Sequence, residues 1–224
     1  MLEYILWPLV TSGIKNTYSY QADKDLVLQA GIEKKLNAGS YEVRLVFEKY
    51  DSKGNVLQLR KVNDAPTSYL WGYSQAVPVA QAVNANWDQI YYEGFETHVS
   101  GIASPLSAHS GKKYAAVSFS IPFTPPAGTY ELSYWKYESS AWSKVTQPYT
   151  GPATISAVRL DDIRIYPVGS QMTTYDYDPL IGTITATEAN NNSTHYTYDE
   201  FQRLIQIKDL DNQLVKGFKY QYKN

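Results

Sequence analysis

Aromatic side chains in the middle of the chain have the types and the spacing of a sugar-binding platform. Trp135 and Tyr137 are separated by one residue, and Trp142 follows shortly after them. Alternate residues of a strand share a face, so Trp135 and Tyr137 are expected on one side and Tyr134 on the other. Flat apolar rings stack on the C–H groups of sugars while polar neighbours bond the hydroxyls. Trp135, Tyr137 and Trp142 are therefore the predicted glycan-binding residues, and the alternative is that Trp135 belongs to a hydrophobic core.

Groups that could carry catalysis are few. His98, His109 and His195 are far apart in the sequence, and the Ser-Gly after His109 lacks the preceding glycine of a nucleophile elbow. Asp176 and Asp178 share a strand face and suggest paired carboxylates, although polar residues at a strand end explain them more simply. We predict that the chain is not an enzyme. The alternative, a polysaccharide hydrolase or its accessory, requires an acidic cleft with carboxylates about 5 to 10 Å apart.

A Tyr-rich signature near the C-terminus predicts β-hairpins that could hold such residues in place. Tyr177, Tyr198 and Tyr220 lie 21 and 22 residues apart, and aromatic residues alternate around each of them. Alternation places rings on one face of a strand, and a fixed period is typical of stacked repeat units. A single hairpin is marginally stable in water, so these units are expected to pair with neighbours. The turn at residues 51–55, with Gly54, predicts an earlier hairpin.

These stretches resemble the YD repeats of bacterial RHS proteins. Residues 198–204, Tyr-Asp-Glu-Phe-Gln-Arg-Leu, match the family pattern of Tyr-Asp, a Gly and Arg-Leu, except that Gln202 stands where Gly is usual. Residues 50–55, Tyr-Asp-Ser-Lys-Gly-Asn, form a second copy with its Gly in place, and residues 68–80 resemble a segment of RHS-type proteins of Bacteroidetes. RHS proteins spiral β-sheet into a hollow shell, often around a C-terminal toxin. The resemblance therefore implies a scaffold.

Residues 91–167 have a different character and predict an inserted β-sandwich, because strand-like runs are separated there by a Pro-Pro-Ala-Gly turn. The order Gly-Phe-Glu, Ser-Gly-Lys and Asp-Asp-Ile resembles carbohydrate-binding modules of the jelly-roll type. In those modules the first Glu and the Asp of the last strand commonly bind a structural calcium. The resemblance implies Glu96, Asp162 and the main-chain carbonyl of Lys112 as ligands of a structural Ca²⁺.

Two expectations qualify this calcium site. Asp161 and Asp162 are adjacent in a predicted strand and should point to opposite faces, so only one side chain is expected to bind the ion. The alternative is that these carboxylates are solvated or paired with Arg159 and Arg164.

The composition favours a β-rich globular protein and gives no sign of nucleic-acid or membrane partners. The chain has 21 Tyr against two Met, an aromatic fraction of 14% and a formal net charge of −2. There is no cysteine, which removes disulfides, thiolate catalysis and zinc-thiolate sites. No stretch of the sequence approaches the length of a membrane span. We expect almost no helix, although residues 79–86 allow a short one.

These observations predict an all-β fold with a central β-sandwich of the jelly-roll, carbohydrate-binding-module-like type at residues 91–168. A β-rich RHS-like region at residues 1–90 and YD-repeat β-hairpins at residues 169–224 are expected to flank it.

The leading hypothesis is a non-enzymatic structural and interaction protein, a fragment of an RHS-type cell-surface or secreted protein that carries a glycan-binding module. The expected partners are a glycan ligand and strands of the rest of an RHS shell, or of another copy, that pair with its sheet edges. The alternative is a stand-alone carbohydrate-binding module. The expected location is extracellular or at the cell surface, although residues 1–8 have no basic region and do not form an export signal.

Overall fold

The described backbone consists almost entirely of β-strands. A computed structural model describes residues 12–37, 39–104 and 107–221 of the chain. Within these ranges a short 3-10 helix at Trp87–Gln89 is the only helical element, and no helix there is long and apolar enough to cross a membrane. The all-β prediction is confirmed. Residues 1–8, and Tyr222 of the last Tyr-rich stretch, lie outside the described residues.

The chain divides into two compact units, Met1–Pro66 and Thr67–Asn224. The described part of the first unit is an antiparallel meander in the order β1-β2-β3-β4. Its strands are β1 (Ser12–Gln21), β2 (Leu26–Leu36), β3 (Glu42–Tyr50) and β4 (Val56–Lys61). Large apolar side chains such as Ile14, Tyr18 and Val27 remain exposed on this meander. The domain boundaries expected after residues 90 and 168 stay predictions.

The second unit contains two antiparallel sheets, and the first has the order β5-β6-β13-β14-β15-β16-β17. Its strands are β5 (Pro66–Gly72), β6 (Val77–Val83), β13 (Gln171–Asp178), β14 (Gly182–Thr187), β15 (Ser193–Tyr198), β16 (Leu204–Lys208) and β17 (Leu214–Gly217). Strand β6 covers part of the stretch that allowed a short helix. Pairing of β6 with β5 on one side and β13 on the other buries Ala80 and Ala82 in alternation, which a helix would not do.

The six-stranded second sheet has the order β11-β10-β12-β9-β8, and β7 also pairs with β12. Its strands are β7 (Tyr91–Glu93), β8 (Ile102–Ala103), β9 (Lys113–Ile121), β10 (Tyr130–Glu138), β11 (Ala141–Tyr149) and β12 (Ala153–Pro167). Strand β12 is central, because β10 lies along one side while β9 and then β7 lie along the other. Its apolar residues Ile155, Leu160, Ile163 and Ile165 form one hydrophobic cluster with residues of β9 and β10.

Polar as well as apolar contacts connect the two sheets of the second unit. Met172 of β13 lies in a small cluster against which Tyr166 of β12 packs. Nearby, the guanidinium of Arg164 donates a hydrogen bond of 2.7 Å to Thr174 Oγ1, and both side chains are buried. The sheets are therefore joined by a layer that contains charged and hydroxyl groups, and such groups are stable there only when hydrogen-bonded.

A recurring aspartate turn closes hairpins, twice within a Tyr-Asp pair and once, at Asp209, after a lysine. One side-chain oxygen of the aspartate accepts the amide N–H groups of the residues two and four positions later, and this holds for Asp51, Asp199 and Asp209. The residue three positions after each aspartate has a positive φ: 84° at Gly54 and 61° at Gln202. The position of Gln202 is thus a left-handed one, which glycine adopts without steric cost. The stretch after Asp209 is likewise a hairpin turn.

The tyrosine of the motif ties its strand to the neighbouring one. The hydroxyl donates to a main-chain carbonyl from Tyr50 to Gln29, from Tyr177 to Pro78 and from Tyr198 to Thr183, and Tyr220, which precedes a glutamine, donates likewise to Leu204, over 2.5 to 2.8 Å. Phenol and carboxylate therefore have separate structural roles, one between strands and one within the turn.

Candidate functional site

The Gly-Phe-Glu stretch forms one wall of a polar network in the second unit. Gly94 lies where an added side chain would collide with the hydroxyl of Tyr92, so only glycine fits. Phe95 is fully buried and packs edge-to-face on Phe119, with ring centroids 5.0 Å apart. Glu96 Oε1 accepts the main-chain N–H groups of the next stretch, those of residues 112 and 113, over 2.6 and 2.7 Å. In the Gly-Phe-Glu motif a buried ring, Phe95, is thus followed directly by a carboxylate, Glu96, that binds the main chain.

The Asp-Asp stretch of β12 meets the loop that contains His109 and Ser110. Asp161 Oδ2 accepts the main-chain N–H groups of His109 and Ser110 over 2.9 and 3.2 Å. Asp162 Oδ1 accepts the Ser110 hydroxyl at 2.9 Å, and its Oδ2 lies 2.7 Å from His109 Nδ1. The three stretches that carry the resemblance to carbohydrate-binding modules therefore converge.

The expectation that Asp161 and Asp162 serve opposite faces was wrong. Both side chains are buried and both bind the same loop. The reason is the backbone: Asp162 has a left-handed φ of 50°, and the register of β12 with β10 shifts at this point, so strict alternation is interrupted. Neither carboxylate is solvated.

Asp176 of β13 extends the network into the first sheet of the unit. The hydroxyl of Tyr92 lies 3.2 Å from Asp162 Oδ1 and 3.3 Å from Asp176 Oδ1. Asp176 is only 3% exposed, so its interpretation as a strand-end polar residue was wrong. Asp178, near the end of the same strand, instead pairs with the Lys112 ammonium at 2.5 Å.

Burial and mutual repulsion separate the acidities of the three aspartates. Burial raises the pKa of Asp176 well above its usual value, and the neighbouring Asp162 charge raises it further. The same two causes raise the pKa of Asp161. Burial alone would also raise the pKa of Asp162, but the hydrogen bond and the charge of His109 outweigh it and lower that pKa to about 2. A protonated Asp176 explains how one phenol can lie between two carboxyl groups, because Asp176 then supplies the second proton.

The predicted calcium ligands come close together, but each has protein partners. The carbonyl of Lys112 accepts the main-chain N–H of Ser104 at 2.9 Å, while Glu96 and Asp162 accept the hydrogen bonds given above. Among the residues that the structure describes, no group of three or more Asp, Glu or His side chains is arranged to hold a metal ion. Calcium binding stays a prediction.

The predicted glycan-binding aromatics also come together, around His109. The His109 ring stacks on Trp135 with centroids 3.9 Å apart and contacts Trp142 edge-on at 5.5 Å. Tyr137 and Trp142 are cross-strand partners in the β10–β11 hairpin, with ring centroids 5.5 Å apart. Trp135 lies outside the hydrophobic cluster that buries its neighbour Tyr134, but His109 covers one of its ring faces. All three aromatic side chains are half-buried, and the Arg159 guanidinium lies 4.3 Å from the centroid of the Tyr137 ring. Trp142, whose contacts with His109 and Tyr137 are edge-on, is therefore the best placed of the three to meet a ligand.

Sequence reasoning missed three members of the network, Tyr92, His109 and Asp176. For Asp176 a signal existed, because alternation along β13 places it on the face of the buried Met172 and Thr174. For His109 there was no local signal, since its partners lie 26 and 53 residues away along the chain. Its role depends on the pairing of distant strands.

Comparisons with known proteins assign no family to the chain. No protein-family model matches it, and no curated protein matches it. Solved structures similar to it include TcdB2-TccC3-Cdc42 (14% identity, TM-score 0.24), the Photorhabdus luminescens Tc holotoxin pore (12%, 0.24) and TcdB2-TccC3 (14%, 0.25). The matches cover 94%, 94% and 96% of this chain but 10% of each matched chain, so the chain spans about a tenth of their length. At these TM-scores the similarity supports no argument about fold or function.

Proposed function

We propose that the chain is a structural and interaction protein, a sheet segment of RHS type whose hairpins are made to pair with further strands. The observation that carries the proposal is the recurring aspartate turn, with the same hydrogen bonds at Asp51 and Asp199, which follow a tyrosine, and at Asp209, which follows a lysine. A turn repeated with this constancy specifies hairpins, and hairpins are stable only within a larger sheet. We place such a segment outside the cell or at the cell surface.

The edge at β17 supports pairing with a partner. Within the described residues β17 has a neighbouring strand on one side, β16, and its side chains are exposed. Leu214 and Val215 are 60% and 66% exposed. An edge with apolar side chains and open main-chain groups is a template for another strand. We therefore assign the strand-pairing role to this edge.

Sedimentation velocity over a concentration series tests the pairing. We expect the chain to self-associate through β17 and a double variant, Leu214→Lys with Val215→Lys, to remain monomeric, because edge lysines block strand addition. Leu210→Lys, an exposed apolar residue in the β16–β17 turn, is the matched control and should associate like the parent chain. A chain that stays monomeric at every concentration, or equal association of both variants, contradicts strand pairing between copies at this edge.

Glycan binding is a second candidate function, favoured by the half-exposed pair Tyr137 and Trp142. Affinity electrophoresis in gels that contain different polysaccharides tests it. Trp142→Ala should abolish retention, and Trp135→Ala should weaken it less because His109 covers that ring. Trp87→Ala, an exposed tryptophan far from this pair in sequence, is the control. No retention on any polysaccharide would leave the structural role alone.

A further inference from the structure

A pocket of about 200 Å³ lies beside the aspartate network, entirely within the second unit. Its acidic lining residues are Glu93, Glu96 and Asp176, and no lysine, arginine or histidine lines it. The remaining lining includes aromatic side chains from β5, from the turn after it, from β7 and from β13. A pocket with several aromatic walls and a few polar groups has the usual make-up of a small-ligand site.

The carboxylates of this pocket are held in place by the main chain. Glu93 Oε1 accepts the N–H of Phe95 at 2.7 Å, and Glu96 Oε1 accepts the two N–H groups described above. A positive charge placed among these carboxyl groups would favour their ionised form and would be attracted by it.

The aromatic walls belong to Trp71, Tyr73, Tyr92 and Tyr175. The hydroxyl of Tyr73 donates to the main-chain carbonyl of Tyr177 at 2.9 Å, and that of Tyr92 is engaged by the aspartates. These hydroxyls already have partners, so the rings are what these residues offer to a ligand. Aromatic rings attract cations through their quadrupoles, most strongly when the cation is poorly hydrated, as a substituted ammonium is.

Glycine keeps the pocket open on the side of the network. A side chain at Gly94 would meet the Tyr92 hydroxyl and would approach Asp176 Oδ1 to 3.4 Å. The close approach of an aromatic ring and a carboxylate at this point therefore depends on the missing side chain.

From the combination of a volume that suits a small ligand, aromatic walls and an acidic lining without basic residues, we propose that this pocket binds a small organic ammonium ion. The ammonium group lies among the carboxylates while its alkyl substituents contact the rings. The ligand is a free alkylammonium compound or the side chain of a lysine in a peptide, since both carry the same group. A bare metal ion fits less well, because the described residues contain no carboxylate set arranged for one.

Calorimetric titration of the full chain tests the proposal with choline and its uncharged analogue 3,3-dimethylbutan-1-ol. These molecules share shape and differ in charge, so we expect choline to bind at least about tenfold more tightly. Nα-acetyl-lysine methylamide distinguishes a peptide side chain from a free amine as the source of the group. Glucose and galactose serve as neutral polar competitors.

Two pocket variants sharpen the test. Glu93→Gln keeps the size of the side chain and an oxygen for the Phe95 N–H while removing a charge, and we expect it to weaken choline binding about tenfold. Trp71→Leu should weaken it similarly. Glu138→Gln, an exposed residue outside the pocket, is the control, and circular dichroism melting checks that all variants remain folded. Equal affinity for choline and the alcohol, binding of sugars without choline, no binding of any probe, or an unaffected Glu93→Gln variant overturns the proposal.

Discussion

The hairpins β13–β17 and the sheet formed by β7–β12 are held together by different means. In the sheet, strands distant in sequence bury a large apolar cluster that includes Leu132, Leu160 and Ile163. Along the hairpins the buried side chains are mostly polar, and aspartate turns fix the β15–β16 and β16–β17 pairs locally. The comparison teaches that one region depends on long-range apolar contacts and the other on hydrogen bonds between near neighbours.

The largest expected effect comes from cutting into the apolar cluster. Leu160 is fully buried in β12, so Leu160→Ala should lower the free energy of unfolding by about 3 kcal/mol through lost apolar contacts and a cavity. Urea unfolding followed by tryptophan fluorescence measures this change. Val158→Ala in the same strand is the control, because Val158 is 62% exposed and should cost little. Similar losses in both variants would mean that the cluster does not hold this sheet together.

Acid should destabilise the junction between the two regions through Asp162. Its pKa is lowered to about 2 from an ordinary value of 3.8. One pKa unit corresponds to about 1.4 kcal/mol, so ionised Asp162 contributes about 2 kcal/mol. Because the pKa of Asp162 is lower in the folded chain than in the unfolded chain, this stabilisation is present above pH 3.8. It is lost as the pH falls from 3.8 toward 2. Asp162→Asn should therefore be less stable than the parent chain near pH 7, and the difference should vanish near pH 2.

Asp176 provides a control, because its effect on stability should change with pH in the opposite direction. The pKa of Asp176 is raised because the side chain is buried beside Asp162 and Glu96. Its contribution to the free energy of unfolding is therefore most favourable below pH 3.8 and is lost as the pH rises through the raised pKa. Asp176→Asn should consequently be more stable than the parent chain at neutral pH and equal to it in acid. Asp161, whose pKa is also raised, contributes with the same sign as Asp176, while the charges of His109 and Arg164 support ionised Asp162. Urea unfolding midpoints that change with pH in the same way in the parent chain, Asp162→Asn and Asp176→Asn would contradict these opposite pKa shifts.

The same difference between the regions explains what the sequence could predict. The hairpins were predicted because the turn at Asp199 is encoded within five residues, and so was the shared face of Trp135 and Tyr137. The neighbourhood of Asp162 was not, because a left-handed backbone at that residue reverses the expected alternation. The stacking of His109 on Trp135 joins a loop to a strand that pairs elsewhere. Such contacts follow from the order of the strands, which local patterns do not specify.

A smaller and local effect is expected at the Tyr-Asp turn. Asp199→Ala removes two hydrogen bonds to main-chain amides and the ion pair with Arg203, and should modestly destabilise the β15–β16 hairpin. Because these contacts are local, amide hydrogen exchange should accelerate in β15 and β16 while β10 stays protected. Glu200→Ala, the exposed next residue, is the control. Uniform loss of protection in all strands would show that the hairpins are not locally stabilised.

The smallest effect concerns the left-handed turn position that Gln202 occupies. Gln202 has a φ of 61°, which costs a non-glycine residue free energy, so Gln202→Gly should stabilise the chain by up to about 1 kcal/mol. Asn212 has nearly the same φ of 60° in the next turn, but asparagine tolerates this conformation better. Asn212→Gly should therefore gain less, and thermal unfolding of the two variants measures the difference. An equal gain at both turns would mean that glycine acts there through something other than the left-handed backbone, and loss of stability at Gln202 would mean that its side chain contributes contacts that outweigh the strain.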